Sequence, residues 1–318
     1  MTKLMTPTET SDLLLKHDNF LLITHRRPDG DTLGSAGALA LALKAKGKNA
    51  YLLKNKDTTP RYEIFVNNLW APNDFSPDFV VSIDTASLDL FPENALSYKE
   101  RVDLCIDHHP SNSKYASFLC LESHQASCGE VIYDILLAMN ADISNDIATC
   151  IYVAISTDTG CFSFANTTSR TLYVASKLVE AGTNNGELNK YLFRTKTQSC
   201  VKIGSKVISS MEYHFDGKVA IAFITNDMIE EVGASEDDLD DIASLPTTVE
   251  GVCIGITIRE LTSQSGSKIS VRSSEPYNAN EICGHFGGGG HVRAAGATVK
   301  KTVQEVRDEL LEVLKKQF

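Results

Sequence analysis

The sequence predicts an α/β protein of two domains, and three observations carry that reading. The first half alternates short apolar runs with helical patterns, the rhythm of a parallel sheet covered by helices. From residue 212 the pattern changes to strand, helix, strand, strand. A length of 318 residues, 42% apolar and 22% charged, suffices for two cores.

FLLIT (20–24) reads as a strand, LGSAGALALALKAKG (33–47) as an apolar helix, and AYLLK (50–54), DFVVSID (78–84) and DLCID (103–107) as further strands. Segments 128–141 and 144–156 are apolar with helical periodicity. More polar helices are expected over 169–181, 184–193 and 198–210, the last as a connection. Then come KVAIAFIT (218–225), an acidic helical stretch near 235–243, VEGVCIGITIRE (249–260), KISVRSS (268–274), a short helix at 278–285, GATV (296–299) and a terminal helix. The division expected is 1–195, a connecting segment 196–212, and a smaller α/β domain 213–318.

A net charge of -11 argues against a broad duplex-DNA surface, because non-specific affinity for duplex needs cations that displace phosphate counterions. No apolar run approaches the roughly 20 residues that span a bilayer, and no export signal opens the chain. The expectation is a cytoplasmic protein without a membrane partner. Eight scattered cysteines, without the close pairs of a zinc knuckle, read as reduced core residues.

Four segments place carboxylates or histidines where a strand or helix meets a loop: His25 with Asp29 and Asp31, then Asp84, then Asp107 with His108 and His109, and last Asp158. Ligand sites of α/β sheets assemble at strand carboxyl ends. Asp29 or Asp31 could equally cap the following helix. Asp84 and Asp107 each close an apolar run, and a carboxylate at a buried strand end must be paired, hydrogen-bonded or metal-bound. If the strand continues, His108 and His109 face opposite sides. Oxygen and imidazole donors without thiolate suit hard to borderline divalent ions, Mn²⁺ better than structural zinc, and several aspartates imply more than one cation.

A second constellation is FGGGGHVRAAG (286–296). Gly288, Gly289 and Gly290 allow backbone to approach an anion, and His291 and Arg293 supply donors. In KISVRSS, Ser270 and Arg272 share the face opposite Ile269 and Val271, and Arg259 ends a comparable strand, a set suited to phosphate. SEDDLDD (235–241), lacking His or a Gly turn, reads as a solvated helix face.

The ordered set HRRPDGD (25–31), Asp84, DHH (107–109), TDTG (157–160), GGGGH (287–291) and RAAG (293–296) resembles the DHH phosphoesterases with a DHHA1 C-terminal domain, over nearly the whole chain. Within them it is similar to the branch of nanoRNases and 3'-phosphoadenosine 5'-phosphate (pAp) phosphatases. The resemblance implies one metal held by His25, Asp29 and Asp84, and a second by Asp31, Asp84, His108 and Asp158, with Asp84 bridging. It gives Asp107 a supporting role and His109 a place at the scissile phosphate. Arg259, Ser270, Arg272, His291 and Arg293, with the glycine run, would hold the nucleotide.

The expected activity is two-metal hydrolysis, with Mn²⁺, of short single-stranded RNA or a small nucleotide such as pAp. Cyclic di-AMP or linear pApA is the alternative substrate, and a nucleotide sensor of the same fold the non-enzyme one. A homodimer is left open.

Overall fold

The computed structural model describes residues 2–261 and 266–318. The chain forms two compact units, Met1–Thr195 and Lys196–Phe318. The first contains strands β1 (Lys3–Leu4), β2 (Phe20–Ile23), β3 (Ala50–Leu52), β4 (Phe79–Ile83), β5 (Leu104–Asp107) and β6 (Phe118–Leu121), with helices α1 (Pro7–Lys16), α2 (Gly30–Ala45), α3 (Pro60–Glu63), α4 (Cys128–Ala138), α5 (Asn145–Asp158), α6 (Ser169–Glu180) and α7 (Asn185–Asn189). Its six strands pair in the order β1-β6-β5-β4-β2-β3, every pair parallel.

The central strands are buried on both faces, which is why they read as unbroken apolar runs. Phe20 and Leu22 of β2, Phe79 and Val81 of β4, and Leu104 and Ile106 of β5 face the main core under α1, α2, α4 and α5. The alternate residues Leu21, Ile23, Val80 and Cys105 face a smaller core closed by Phe91 and Ala95, from the 3-10 turns around 88–98. Helix α2 is buried almost all round from Gly30 to Leu43, which its Gly, Ala and Ser content permits.

The second unit contains α8 (Gln198–Ser209), β7 (Glu212–His214), β8 (Val219–Ile224), α9 (Asn226–Val232), α10 (Glu236–Ile242), β9 (Ile254–Leu261), β10 (Gly266–Ser273), α11 (Ala279–Gly284), β11 (Gly289–Gly290), β12 (Ala294–Val299) and α12 (Val303–Leu314). The sheet order is β11-β12-β10-β9-β8-β7, antiparallel except for the parallel pair β8 and β9. Alternation divides this sheet too: Ile254, Ile256, Ile258, Ile269 and Val271 pack under α11 and α12. On the opposite face Ala222 and Ile224 pack with Cys200, Ile203 and Val207 of α8 and with Leu239 of α10. Helix α8, expected as a connection, thus belongs to this second core through its apolar stripe.

Candidate metal centre

Strands β5, β4 and β2 are neighbours and parallel, so their carboxyl ends bring Asp107, Asp84 and His25 side by side. Asp84 is the first residue past β4 and sits in the left-handed region at φ 53°, held by its amide donating to the Ile106 carbonyl at 2.8 Å. Thr32 of α2 donates to the Ile83 carbonyl at 2.9 Å, which ties the helix start to the end of β4. Asp29 is the N-cap of α2, its Oδ1 accepting from the amides of Asp31 and Thr32. The capping role therefore coexists with membership of the cluster.

Helix α5 runs against α2 in the opposite direction, with Gly30 beside Thr157 and Gly34 beside Cys150 and Ala154. A Cβ at Gly34 would lie 2.4 Å from the Cys150 carbonyl oxygen, so this close approach requires glycine. It brings Asp158, the last residue of α5, to the end of α2 that carries Asp31.

The donor atoms converge in three overlapping groups whose members lie within 4.8 Å of one another: His25, Asp29 and Asp84; Asp31, His108 and Asp158; and Asp84, His108 and His109. His25 Nε2 is 3.7 Å from Asp29 Oδ1 and 3.8 Å from Asp84 Oδ2. His108 Nε2 is 3.6 Å from Asp84 Oδ1, 3.7 Å from Asp31 Oδ2 and 3.6 Å from Asp158 Oδ2. Asp84 thus turns one oxygen to each histidine. His25 Nδ1 donates to the Arg26 carbonyl at 2.9 Å and His108 Nδ1 to the Gln125 carbonyl at 3.3 Å. Each bond leaves the Nε2 lone pair aimed at the carboxylates, the arrangement of metal-binding imidazoles.

His108 and His109 do not face opposite sides. Strand β5 ends at Asp107, whose Oδ1 accepts both following amides, at 2.8 and 3.2 Å, and so turns the chain. Both rings then approach Asp84 Oδ1, His109 Nδ1 at 3.5 Å.

Crowded buried carboxylates set the electrostatics. Burial, then repulsion from neighbouring aspartates, holds Asp84 and Asp31 well above the usual carboxylate range. Burial, then Asp29, pushes Asp158 up to about 7. Burial, then the neighbouring His109, lowers His108 to about 4 and keeps it neutral. Burial is the largest influence on Asp107 and His109 and opposes their charged forms, but their 2.8 Å hydrogen bond and their mutual attraction together with other neighbours outweigh it, lowering the aspartate and raising the histidine. Asp84 Oδ1 is buried with no hydrogen-bond partner among the described residues. A buried carboxylate oxygen so placed, beside the neutral Nε2 of His108, fits a divalent cation.

In the second unit, Ser270, Arg272 and Gly289 line one cavity of about 370 Å³, together with Lys268, Ala243 and Ala294–Gly296. Arg259 lies on the same sheet face, opposite Lys268 in the ladder, and makes a two-pronged ion pair with Glu236. The acidic stretch is thus not merely solvated: Glu236 holds that arginine, and buried Asp238 accepts from Thr197, Ser199 and Ser235. Arg293 is directed at Glu275 and the Tyr277 carbonyl rather than at the cavity. His291 is exposed, outside the residues that line it. Gly288 and Gly290 have a packing reason of their own, since a Cβ would fall 2.2 Å from the Gly296 carbonyl oxygen or 2.6 Å from that of Ala294.

Residues 19–155 match the DHH family, N-terminal domain, and residues 216–318 match the DHHA1 domain. The bifunctional oligoribonuclease and PAP phosphatase NrnA of Thermus thermophilus is 32% identical over 301 residues, spanning 91% of this chain and 89% of the relative. The chain belongs to the DHH family of phosphoesterases. NrnA of Bacillus subtilis is 27% identical to this DHH protein, over 92% of the chain and 93% of the relative. The solved exopolyphosphatase-related protein of Bacteroides fragilis shares its fold at a TM-score of 0.89 and 21% identity, covering 98% of this chain and 97% of the other.

Sequence reasoning missed the groups that support the site in this DHH protein. Asp31, 1% exposed, accepts from the amides of Cys128 and Gly129 at the N-terminus of α4, at 2.7 and 2.9 Å, and from Ser35 at 3.0 Å. Asn112 donates to Asp107 Oδ2 at 2.6 Å, and Asn55 donates to the His25 carbonyl at 3.0 Å. Ser127, which caps α4 three residues before Glu130, was the one local signal of that helix start. Lys268 was readable as the third residue on the Ser270 and Arg272 face. Among the described residues no helix is long and apolar enough to cross a membrane.

Proposed function

We propose that this DHH phosphoesterase is a two-metal hydrolase that cuts oligoribonucleotides of about two to five nucleotides to mononucleotides and converts pAp to AMP. The observation that carries the two-metal reading is Asp84, buried at a strand end with its two oxygens directed at two separate donor groups. The substrate class rests on the two NrnA relatives, each named as an oligoribonuclease and PAP phosphatase.

In this reading His25, Asp29 and Asp84 hold one ion, and Asp31, Asp84, His108 and Asp158 hold the other. Mn²⁺ suits the carboxylate and imidazole set. Divalent cations held by these residues would supply Lewis-acid stabilisation of charge on the attacking and leaving oxygens of an in-line displacement. The chain's own groups do the rest. Asp107, fixed by Asn112 and two backbone amides, holds the Nδ1 proton of His109 and favours its imidazolium form. His109 then presents Nε2 chemistry to a phosphate oxygen. Ser270 and Arg272, with Lys268, bind a phosphate group from the cavity they line.

A panel of Mn²⁺, Mg²⁺ and Zn²⁺ against pAp, pApA, cyclic di-AMP and RNA of increasing length tests this. Fastest turnover of pAp and the shortest RNAs with Mn²⁺ is expected. A folded Asp84→Ala protein with full activity would sink the reading.

A further inference from the structure

We propose that Phe164 is a stacking platform for the nucleobase beside the scissile phosphate. This rests on the phosphoesterase reading and adds to it a residue that none of the metal or phosphate groups includes.

The segment after α5 is unusual. Gly160, Cys161 and Phe162 lie in succession in the left-handed region, at φ 55°, 57° and 64°, a conformation that L side chains seldom adopt and almost never in sequence. The turn is nevertheless closely held. Cys161 donates its amide to the Ser156 carbonyl at 2.7 Å, and Ser163 and Phe164 donate to the Thr159 carbonyl at 2.9 and 3.0 Å. The amide of Phe162 donates to the Thr159 hydroxyl at 3.2 Å, and Asn166 bridges the carbonyls of Ala126 and Asp158, both at 3.1 Å. A strained but fixed segment marks a place where geometry serves function.

What this turn accomplishes is a division between two phenylalanines. Phe162 packs inward on the main core, edge-on to Tyr152 with ring centroids 5.7 Å apart. Phe164 is turned outward and is 60% exposed. Its ring lies against Gly160, where a Cβ would come within 2.4 Å of Cε1 and Cζ. Gly160 thus leaves the space that the ring fills. The ring is thus fixed against a residue only two positions from Asp158, whose carboxylate lies 3.6 Å from His108 Nε2.

An exposed aromatic face on the turn that begins two residues after Asp158 suits a flat partner one sugar away from the phosphate. A nucleobase is that partner, and stacking tolerates any base, as a nuclease without sequence preference requires.

Binding, read apart from turnover, tests this. Calorimetry with Mn²⁺ present would compare AMP with ribose 5-phosphate, which keeps the phosphate and sugar but lacks the base. We expect Phe164→Ala to weaken AMP by about 10-fold or more and leave ribose 5-phosphate unchanged. Phe164→Trp should retain AMP affinity, with tryptophan emission quenched by AMP alone. Equal loss for both ligands, no loss for AMP, or a change in oligomeric state on substitution would overturn the proposal. Failure of the wild-type protein to hydrolyse pApA would count against the phosphoesterase reading instead, because the difference between the two ligands is measured without catalysis.

Discussion

Replacing Asp84 by Asn removes one negative charge at the centre of the cluster while keeping the side chain's shape. Asp84 is 3% exposed, and burial followed by repulsion from Asp31 and Asp29 holds its carboxyl well above the usual range. A carboxyl whose folded value is raised contributes stability that is full below about pH 4 and is lost as pH rises through the folded value. Asp158, at about 7, carries the same sign. Without metal these two carboxyls therefore withdraw stability from about pH 4 upward through neutrality. A cation needs the ionised carboxylates and offsets that loss. Ion at about 100 times its Kd adds about 2.7 kcal/mol. For a unit the size of Met1–Thr195, that shifts Tm by roughly 5–10 °C. Asp84→Asn relieves one buried charge, at about 1.4 kcal/mol per unit of pKa displacement. Its metal-free Tm should exceed that of the wild type at about pH 8, by a margin that narrows towards pH 4. Differential scanning fluorimetry with and without Mn²⁺, paired with pAp hydrolysis, reads both effects. The Mn²⁺ shift should vanish and turnover fall on the order of 100-fold or more. A variant that melts below the wild type without metal, or that keeps the whole Mn²⁺ shift, would refute the reasoning.

Asn112→Ala leaves Asp107 Oδ2 without its 2.6 Å donor and should cost about 1–3 kcal/mol in urea unfolding at neutral pH. Because Asp107 is held below its usual range, that cost should fade as pH drops below about 4. Gly288→Ala would force a methyl to within 2.2 Å of the Gly296 carbonyl oxygen and should destabilise the second unit by about 1–3 kcal/mol, seen as a lower denaturant midpoint. Arg272→Ala should raise KM for pAp on the order of 10-fold with kcat little changed, whereas Arg293→Ala, which releases Glu275, should move KM far less.

Much of the centre was legible because its chemistry is local. His25, Asp29 and Asp31 follow an apolar run, and Asp84 and Asp107 end two more, so parallel-sheet logic alone places them at one edge. Asp158 was harder to read: it closes a helix rather than lying in a turn, and only the packing of α5 on α2 brings it to that edge. The facing of the two histidines was readable only on the condition that the strand continues, and that condition fails because Asp107 ends β5 by capping its own successors. Short edge strands such as β1 and β7 left no periodicity to detect. In the second unit the strand faces were readable from Ile269 and Val271, but the partners of Arg259 and Arg293 come from distant segments that no local pattern announces.

The glycine contact between α2 and α5 has a consequence for ion choice. Asp31 and Asp158 sit on different helices, so the width between their carboxylates is set by how closely two backbones meet at Gly34, about one helical turn below. Mg²⁺ demands oxygen distances near 2.0–2.1 Å while Ca²⁺ accepts about 2.3–2.6 Å. On the proposed ligand set, the helix pair works as a calliper whose jaws are the two aspartates, with residue 34 as its adjusting screw. On that set, metal preference is tunable from a position that never touches the ion.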